Sequence, residues 1–231
     1  MALGASGMAG KLVKTSRSGV SGFGLLFAMV IVLMGCAAPG DPGWQQPASI
    51  ANTWVYQCDP DYRFVARQEQ QQLWLFLPRR TLALKPVYGG EGYSGEGYSL
   101  MREGDTAVLS FEGDSYHCRN DRRAAIWEAS KLNGYDYRAV GNEPGWYLEI
   151  GQGMMSRLVT QYGQSRLDFS LPEPRLDSAA RLTLYRVPEQ ALEIRIEGRV
   201  CRDSMSGETF ASTVAITWQG QAFSGCGRAL H

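Results

Sequence analysis

The 231-residue sequence predicts an all-β protein in which two antiparallel β units are joined by one short helix. Three observations carry this. Short apolar or alternating runs recur between turn signals, at the spacing of antiparallel strands. Four cysteines, Cys58, Cys118, Cys201 and Cys226, fall two before and two after a charged, helix-friendly stretch. That stretch, Arg119 to Asn133, is stopped by Gly134, and a second rhythm of runs begins near Tyr135. The expected organisation is a first β unit over residues 53–121, a helical connector over 122–134 and a second β unit over 135–231.

Ahead of these lies an address. Lys11, Lys14 and Arg17 precede an almost wholly apolar run, Phe23 to Met34. The run is shorter than the about 20 residues a bilayer-spanning helix needs and reads as the core of an export signal. It ends in Leu33-Met34-Gly35-Cys36, which resembles the bacterial lipobox, whose cysteine is lipidated and becomes the new N-terminus. That resemblance implies a signal peptide over residues 1–35 and a lipid-bearing Cys36. Each buried methylene contributes about 0.8 kcal/mol, and more than one acyl chain makes anchoring stable. Ala37, where retained lipoproteins carry Asp, implies the outer membrane, with the protein facing the periplasm. Residues 36–52, rich in Pro, Gly and Gln, read as a tether.

Export places the remaining four cysteines in an oxidising compartment. They allow three connectivities. Pairing Cys58 with Cys118 and Cys201 with Cys226 keeps the two units independent and is the expected one. In the loop-entropy account these bonds contribute roughly 4 and 3.5 kcal/mol. No C-x-x-C pair occurs, and only two histidines, His117 and His231, are present, so neither a metal site nor a His-based triad is expected. The net charge of +0 gives no reason to expect a nucleic-acid partner.

In the first unit the expected strands are Trp54–Gln57, Tyr62–Ala66, Leu73–Leu77, Thr81–Leu84, Tyr98–Arg102, Ala107–Phe111 and Tyr116–Cys118. Asp59-Pro60-Asp61, Pro78-Arg79, Gly104-Asp105 and Gly113-Asp114 mark turns, and Gln68 to Gln72 a polar hairpin tip. Such spacing suits a small antiparallel barrel or sandwich. Between strands lies a tandem repeat, Gly90-Glu-Gly-Tyr-Ser94 and Gly95-Glu-Gly-Tyr-Ser99. Its glycines also match G-x-G-x-x-G, but a strand rather than a helix follows, so a dinucleotide site is rejected.

The Tyr56-x-Cys58 start, the β meander, the glycine-tyrosine loop, Gly104-Asp105-x-Ala107 and the closing Cys118 together resemble the membrane-bound inhibitors of C-type lysozyme. The resemblance covers about Thr53 to Arg119. It implies a small β-barrel that inserts a Ser-Gly-x-x-Tyr loop into the lysozyme cleft, aided by a lysine, with C-type lysozyme as protein partner, no cofactor and no catalysis of its own. The candidate binding residues are Gly89, Gly90, Tyr93, Ser94, Gly95, Tyr98 and Glu103. Two registers fit. One sets Gly89 to Tyr93 on the motif, keeps the downstream spacing, loses the serine and puts Glu103 where the family has lysine. The other uses Ser94 to Tyr98 literally and breaks the spacing, so the first is preferred for the fold, with Ser94 expected to supply a hydroxyl from the loop tip. Six acidic side chains, Glu91, Glu96, Glu103, Asp105, Glu112 and Asp114, face only Arg102 between Tyr88 and Tyr116, a patch that would steer a basic enzyme. A non-inhibitory outer-membrane binding or scaffold lipoprotein is the alternative.

The second unit again reads β, with Trp146–Ile150, Arg181–Val187, Leu192–Val200, Thr213–Trp218 and Ala222-Phe223 as strands. Arg138–Trp146, Cys201–Glu208 and Gly225–Leu230 together resemble an uncharacterised bacterial envelope lipoprotein domain, which brings no activity with it. Asn142, Glu143, Asp203, Ser204, Ser206 and Glu208 either converge in a polar pocket or serve turns, and the sequence favours turns. Trp127 on the connector is expected to pack against one unit or both.

Overall fold

A computed structural model describes residues 52–87 and 92–231. The segment read as an export signal, Cys36, Gly89 and Gly90 lie outside the described residues. The fold is nearly all β, as the sequence predicts: a closed antiparallel barrel, a short helix and a second antiparallel sheet. The described residues fall in one compact unit.

The barrel has eight strands: β1 (Thr53–Asp59), β2 (Tyr62–Glu69), β3 (Gln72–Leu77), β4 (Arg80–Pro86), β5 (Gly92–Gly95), β6 (Tyr98–Glu103), β7 (Thr106–Phe111) and β8 (Asp114–Asn120). Each pairs with its neighbour, and β8 returns to β1, so no edge is left open. At the closure Cys58 lies opposite Cys118, and the two are disulfide-bonded. Alternate residues fill the interior: Tyr56, Phe64, Leu73, Leu75, Leu82, Leu84, Leu100 and Leu109 are all essentially buried.

One strand was not expected. β5 lies inside the glycine-tyrosine repeat, which folds back on itself as a hairpin with Ser94 opposite Ser99 and Gly95 opposite Tyr98. Glu96 and Gly97 make the turn, both with positive φ (52° and 82°), the pattern of a two-residue turn that matches strand twist.

Helix α1 (Arg122–Leu132) follows, capped by the Asp121 carboxylate, which accepts from the Ala124 amide at 3.0 Å. The second sheet has nine strands: β9 (Tyr137–Asn142), β10 (Gly145–Ile150), β11 (Ser156–Thr160), β12 (Ser165–Phe169), β13 (Arg175–Asp177), β14 (Leu182–Val187), β15 (Leu192–Glu197), and, after a two-strand ribbon of β16 (Cys201–Arg202) and β17 (Thr209–Phe210), β18 (Ser212–Trp218) and β19 (Gln221–Ala229). Their order is β12-β11-β10-β9-β19-β18-β15-β14-β13.

The two edge strands, β12 and β13, are joined by residues 170–174 alone. Such a link reaches about 20 Å, whereas nine flat strands span nearly 40 Å. The sheet therefore curls, and its inner face closes on one core that includes Trp146, Leu148, Leu158, Phe169, Ile194, Val214 and Ile216. Alternation in β15 runs as the sequence predicts, with Leu192 and Ile194 buried and Arg195 exposed.

Helix α1 covers the outer face of this sheet. Trp127 packs on Phe210 and Cys226, and the Arg228 guanidinium lies 4.3 Å over its ring. Beside it Arg138 and Glu149, both nearly buried, form an ion pair that also engages the Ser130 hydroxyl of the helix. Arg157 extends the network to Asp168 at 2.9 Å. At the other end of the helix Arg67, on the barrel wall, donates to the Asn133 side chain at 2.8 Å. Cys201 and Cys226 form the second disulfide.

Candidate functional site

In a meander barrel the hairpins alternate between the two ends. The turns at residues 60–61, 78–79, 96–97 and 112–113 lie at one mouth, and those at 70–71 and 104–105 at the other. The connection from β4 to β5 leaves and enters at the second mouth, where β6 also ends at Glu103. The candidate binding residues are thus divided. Glu103 lies at the mouth where β4 ends at Pro86 and β5 begins at Gly92, while Gly95 and Tyr98 flank the turn at the first mouth.

Tyr93 departs from expectation. It is 6 % exposed and part of the barrel core, so its ring holds β5 from the inside and is not an exposed interface anchor. The reason is parity: Tyr93 lies opposite Leu100, an inward residue of β6, and shares its side of the sheet. Ser94 therefore points outward, half-buried, between Lys85 of β4 and Ser99 of β6, on the wall of the barrel and away from any loop tip.

At the first mouth half-buried aromatic rings close the end. Tyr98 stacks on Phe111 at 4.8 Å, Phe111 on Tyr116 at 5.1 Å, and Tyr62 meets Tyr116 at 5.3 Å. Arg80 lies over Tyr98 and pairs with Glu96 at 2.6 Å. At the second mouth Arg102 lies 3.5 Å over the Trp54 ring, and its Nε donates to the Tyr56 hydroxyl at 3.3 Å.

These contacts revise the acidic patch. Arg102 faces the aromatic rings, and the bases that matter come from outside the stretch read as acidic. Arg80 takes Glu96, and Arg122 takes Asp105 through a hydrogen bond of 2.9 Å. The hydrogen bond from Arg122, joined by one from Asn120, holds the Asp105 carboxyl below the usual carboxylate range. Glu103, Glu112 and Asp114 are the described carboxylates of the patch that enter no ion pair. Nothing in the sequence pointed to Arg80 or Arg122, because both reach the patch across strands or from the helix.

In the second unit the polar residues do both things the sequence allowed. The Asp203 carboxylate accepts from the Ser206 amide at 2.6 Å and the Met205 amide at 3.2 Å, which makes a turn. It also accepts from the Asn142 side-chain Nδ2 at 2.8 Å, which draws the β9–β10 hairpin to that turn. Burial opposes ionisation of Asp203, but these hydrogen bonds outweigh it and hold the carboxyl below its ordinary value. Glu208 pairs with Arg228 at 3.1 Å.

Among the described residues no group of His, Cys, Asp and Glu is arranged to hold a metal ion, and no helix is long and apolar enough to cross a membrane. No protein-family model matches the chain, and no curated protein matches it significantly.

Proposed function

We propose that this is an envelope lipoprotein, anchored through Cys36 at the outer membrane, whose barrel binds C-type lysozyme and blocks its cleft with the residues that begin at Gly89. The observation that carries the reading is the shared mouth: the two ends of the β4–β5 connection, Pro86 and Gly92, and the end of β6 at Glu103 lie at one end of a closed, disulfide-tied barrel. Exposed Val87 and Met101 flank the same connection and offer apolar contact. The closed eight-strand meander also agrees with the fold that the inhibitor resemblance implies, although fold alone carries no function.

Of the two registers, the one that sets Gly89 to Tyr93 on the motif agrees better with this mouth. In it Tyr93 braces the strand, and the glycines, which can approach a partner's backbone closely, make the contact. Glu103 then stands where a lysine is expected and would repel the catalytic carboxylates, so inhibition is weak.

The test is a lysozyme inhibition assay with the full chain. Glu103→Lys strengthens inhibition, Gly90→Pro weakens it at least about tenfold, and Ser94→Ala changes little. Raised salt slows association by screening Glu103, Glu112 and Asp114. If the wild-type chain never inhibits and Glu103→Lys gains nothing, the reading fails, and a binding or scaffold role without inhibition takes its place.

A further inference from the structure

Three segments of the second unit, far apart in sequence, meet at one end of the curled sheet around a cleft of about 420 Å³. They are the end of β9 and its turn with Asn142 and Glu143, β16 and the turn after it with Arg202 and Ser204, and β19 at Ser224 to Cys226. We propose that this cleft binds an oligosaccharide, with the ring of Tyr162, which bonds the lining residue Asn142 from outside the cleft, as the stacking surface. This site is separate from the barrel and does not rest on the lysozyme reading.

Tyr162 is 77 % exposed, yet it is held. One ring face lies on the backbone of Gly145, where a Cβ would come within 2.6 Å of the ring. Its hydroxyl donates to the Asn142 carbonyl at 3.4 Å, which ties the ring to the residue that lines the cleft. Its backbone and that of Gln161 are left-handed, with φ of 56° and 52°, a region bulky residues seldom occupy. Such conformations persist where the surroundings enforce them, and they gather at ligand sites. The consequence is an aromatic face fixed toward solvent beside a polar hollow.

A pyranose ring suits that arrangement. Its C–H face packs on an aromatic face, and its hydroxyls need donors and acceptors within reach. The hollow supplies both. Glu143 and Arg202 are exposed, line it, and enter no ion pair with each other or with another described residue. Asp203 is already occupied by two backbone amides and Asn142. It therefore positions the Asn142 side chain, with three of the about four acceptor positions of its carboxylate taken by protein groups. An apolar ligand would instead leave Glu143 and Arg202 desolvated and unpaired.

The full chain, in a detergent without a sugar head group, is titrated with N-acetylglucosamine tetramer, cellotetraose and maltotetraose. Saturation-transfer NMR and calorimetry read binding. At least one of the three binds with a Kd of about 1 mM or tighter. Tyr162→Asn, which removes the ring but tolerates the left-handed backbone, weakens binding at least about tenfold, whereas Tyr162→Phe retains it within about threefold. Glu143→Gln also weakens it, and circular dichroism shows all three variants folded. Absence of binding by all three sugars at about 10 mM overturns the proposal. So does sugar binding that survives Tyr162→Asn at full strength, and so does selection of a peptide ligand by this surface with no sugar bound.

Discussion

At the scale of single residues, burial decides what a side chain can do. Tyr93 looks like a contact residue beside glycines, but it fills the barrel next to Leu100. Tyr93→Ala is therefore expected to cost about 3–5 kcal/mol of stability, read as a lowered urea midpoint, before any effect on a partner is considered. An unchanged midpoint would place its ring outside the core. Tyr137 shows the same logic in titration. Burial pushes its phenol up to about 12, against the pull of its hydrogen bond with Ser212. The folded state then holds this proton where the unfolded chain releases it near pH 10. Its contribution is full below about pH 10 and is lost as pH rises toward 12, on the order of 2 kcal/mol. Tyr137→Phe should flatten that alkaline slope in a pH series of urea melts.

At the scale of elements, helix α1 is held by a cap, a ring and a charge network. Propensity alone would leave an 11-residue helix marginal. Asp121→Ala removes the cap and should cost about 1 kcal/mol. Trp127→Ala empties the space between Phe210, Cys226 and Arg228 and should cost about 3–5 kcal/mol. Chemical denaturation separates the two, and equal losses would mean that the ring contributes nothing beyond the cap. Beneath the helix, burial disfavours the charge of Asp168, but hydrogen bonds from Arg166 and Arg157 prevail and keep its carboxyl below the usual range. Its stabilising contribution is present above about pH 4 and fades as pH falls through the lower folded value.

At the scale of the whole molecule, the barrel and the curled sheet meet through α1, and each is tied by its own disulfide. The Cys58–Cys118 bond closes a separation of 60 residues across the seam where β8 meets β1. Replacing both cysteines by alanine should cost roughly 4 kcal/mol in the loop-entropy account, whereas loss of Cys201–Cys226, with a separation of 25, should cost somewhat less. Thermal melts with and without reductant check the order. A larger loss from the second bond would mean that native packing, and not loop length, sets the effect. Glu149→Ala tests the joint differently. It strands Arg138 and should cost about 3–5 kcal/mol, more than either partner's exposed counterparts, such as Arg186 with Glu193.

The sequence by itself determined the β content, most of the barrel strands, the helix and its stop, and the division of cysteines that the two disulfides follow. Those features depend on local period, turn chemistry and spacing, which a linear chain displays. It did not display β9, β11, β12 and β13. Segments such as Tyr137–Asn142 and Ser165–Phe169 are rich in Arg, Gly, Ser and Asp, and become strands because neighbouring strands supply their hydrogen bonds. Only the tertiary structure decided that the glycine-tyrosine repeat is a hairpin with Tyr93 inward. It also brought Arg80 and Arg122 to the acidic stretch and folded Tyr162 onto Gly145 beside Asn142. The hairpin pairs are close in sequence, and only closure of the barrel sets which of their faces turns inward; the other contacts rest on partners 15 or more residues away, as with Arg80 and Glu96 at a separation of 16. Strand pairing and closure choose such partners together, and no local window of sequence contains both members of the pair.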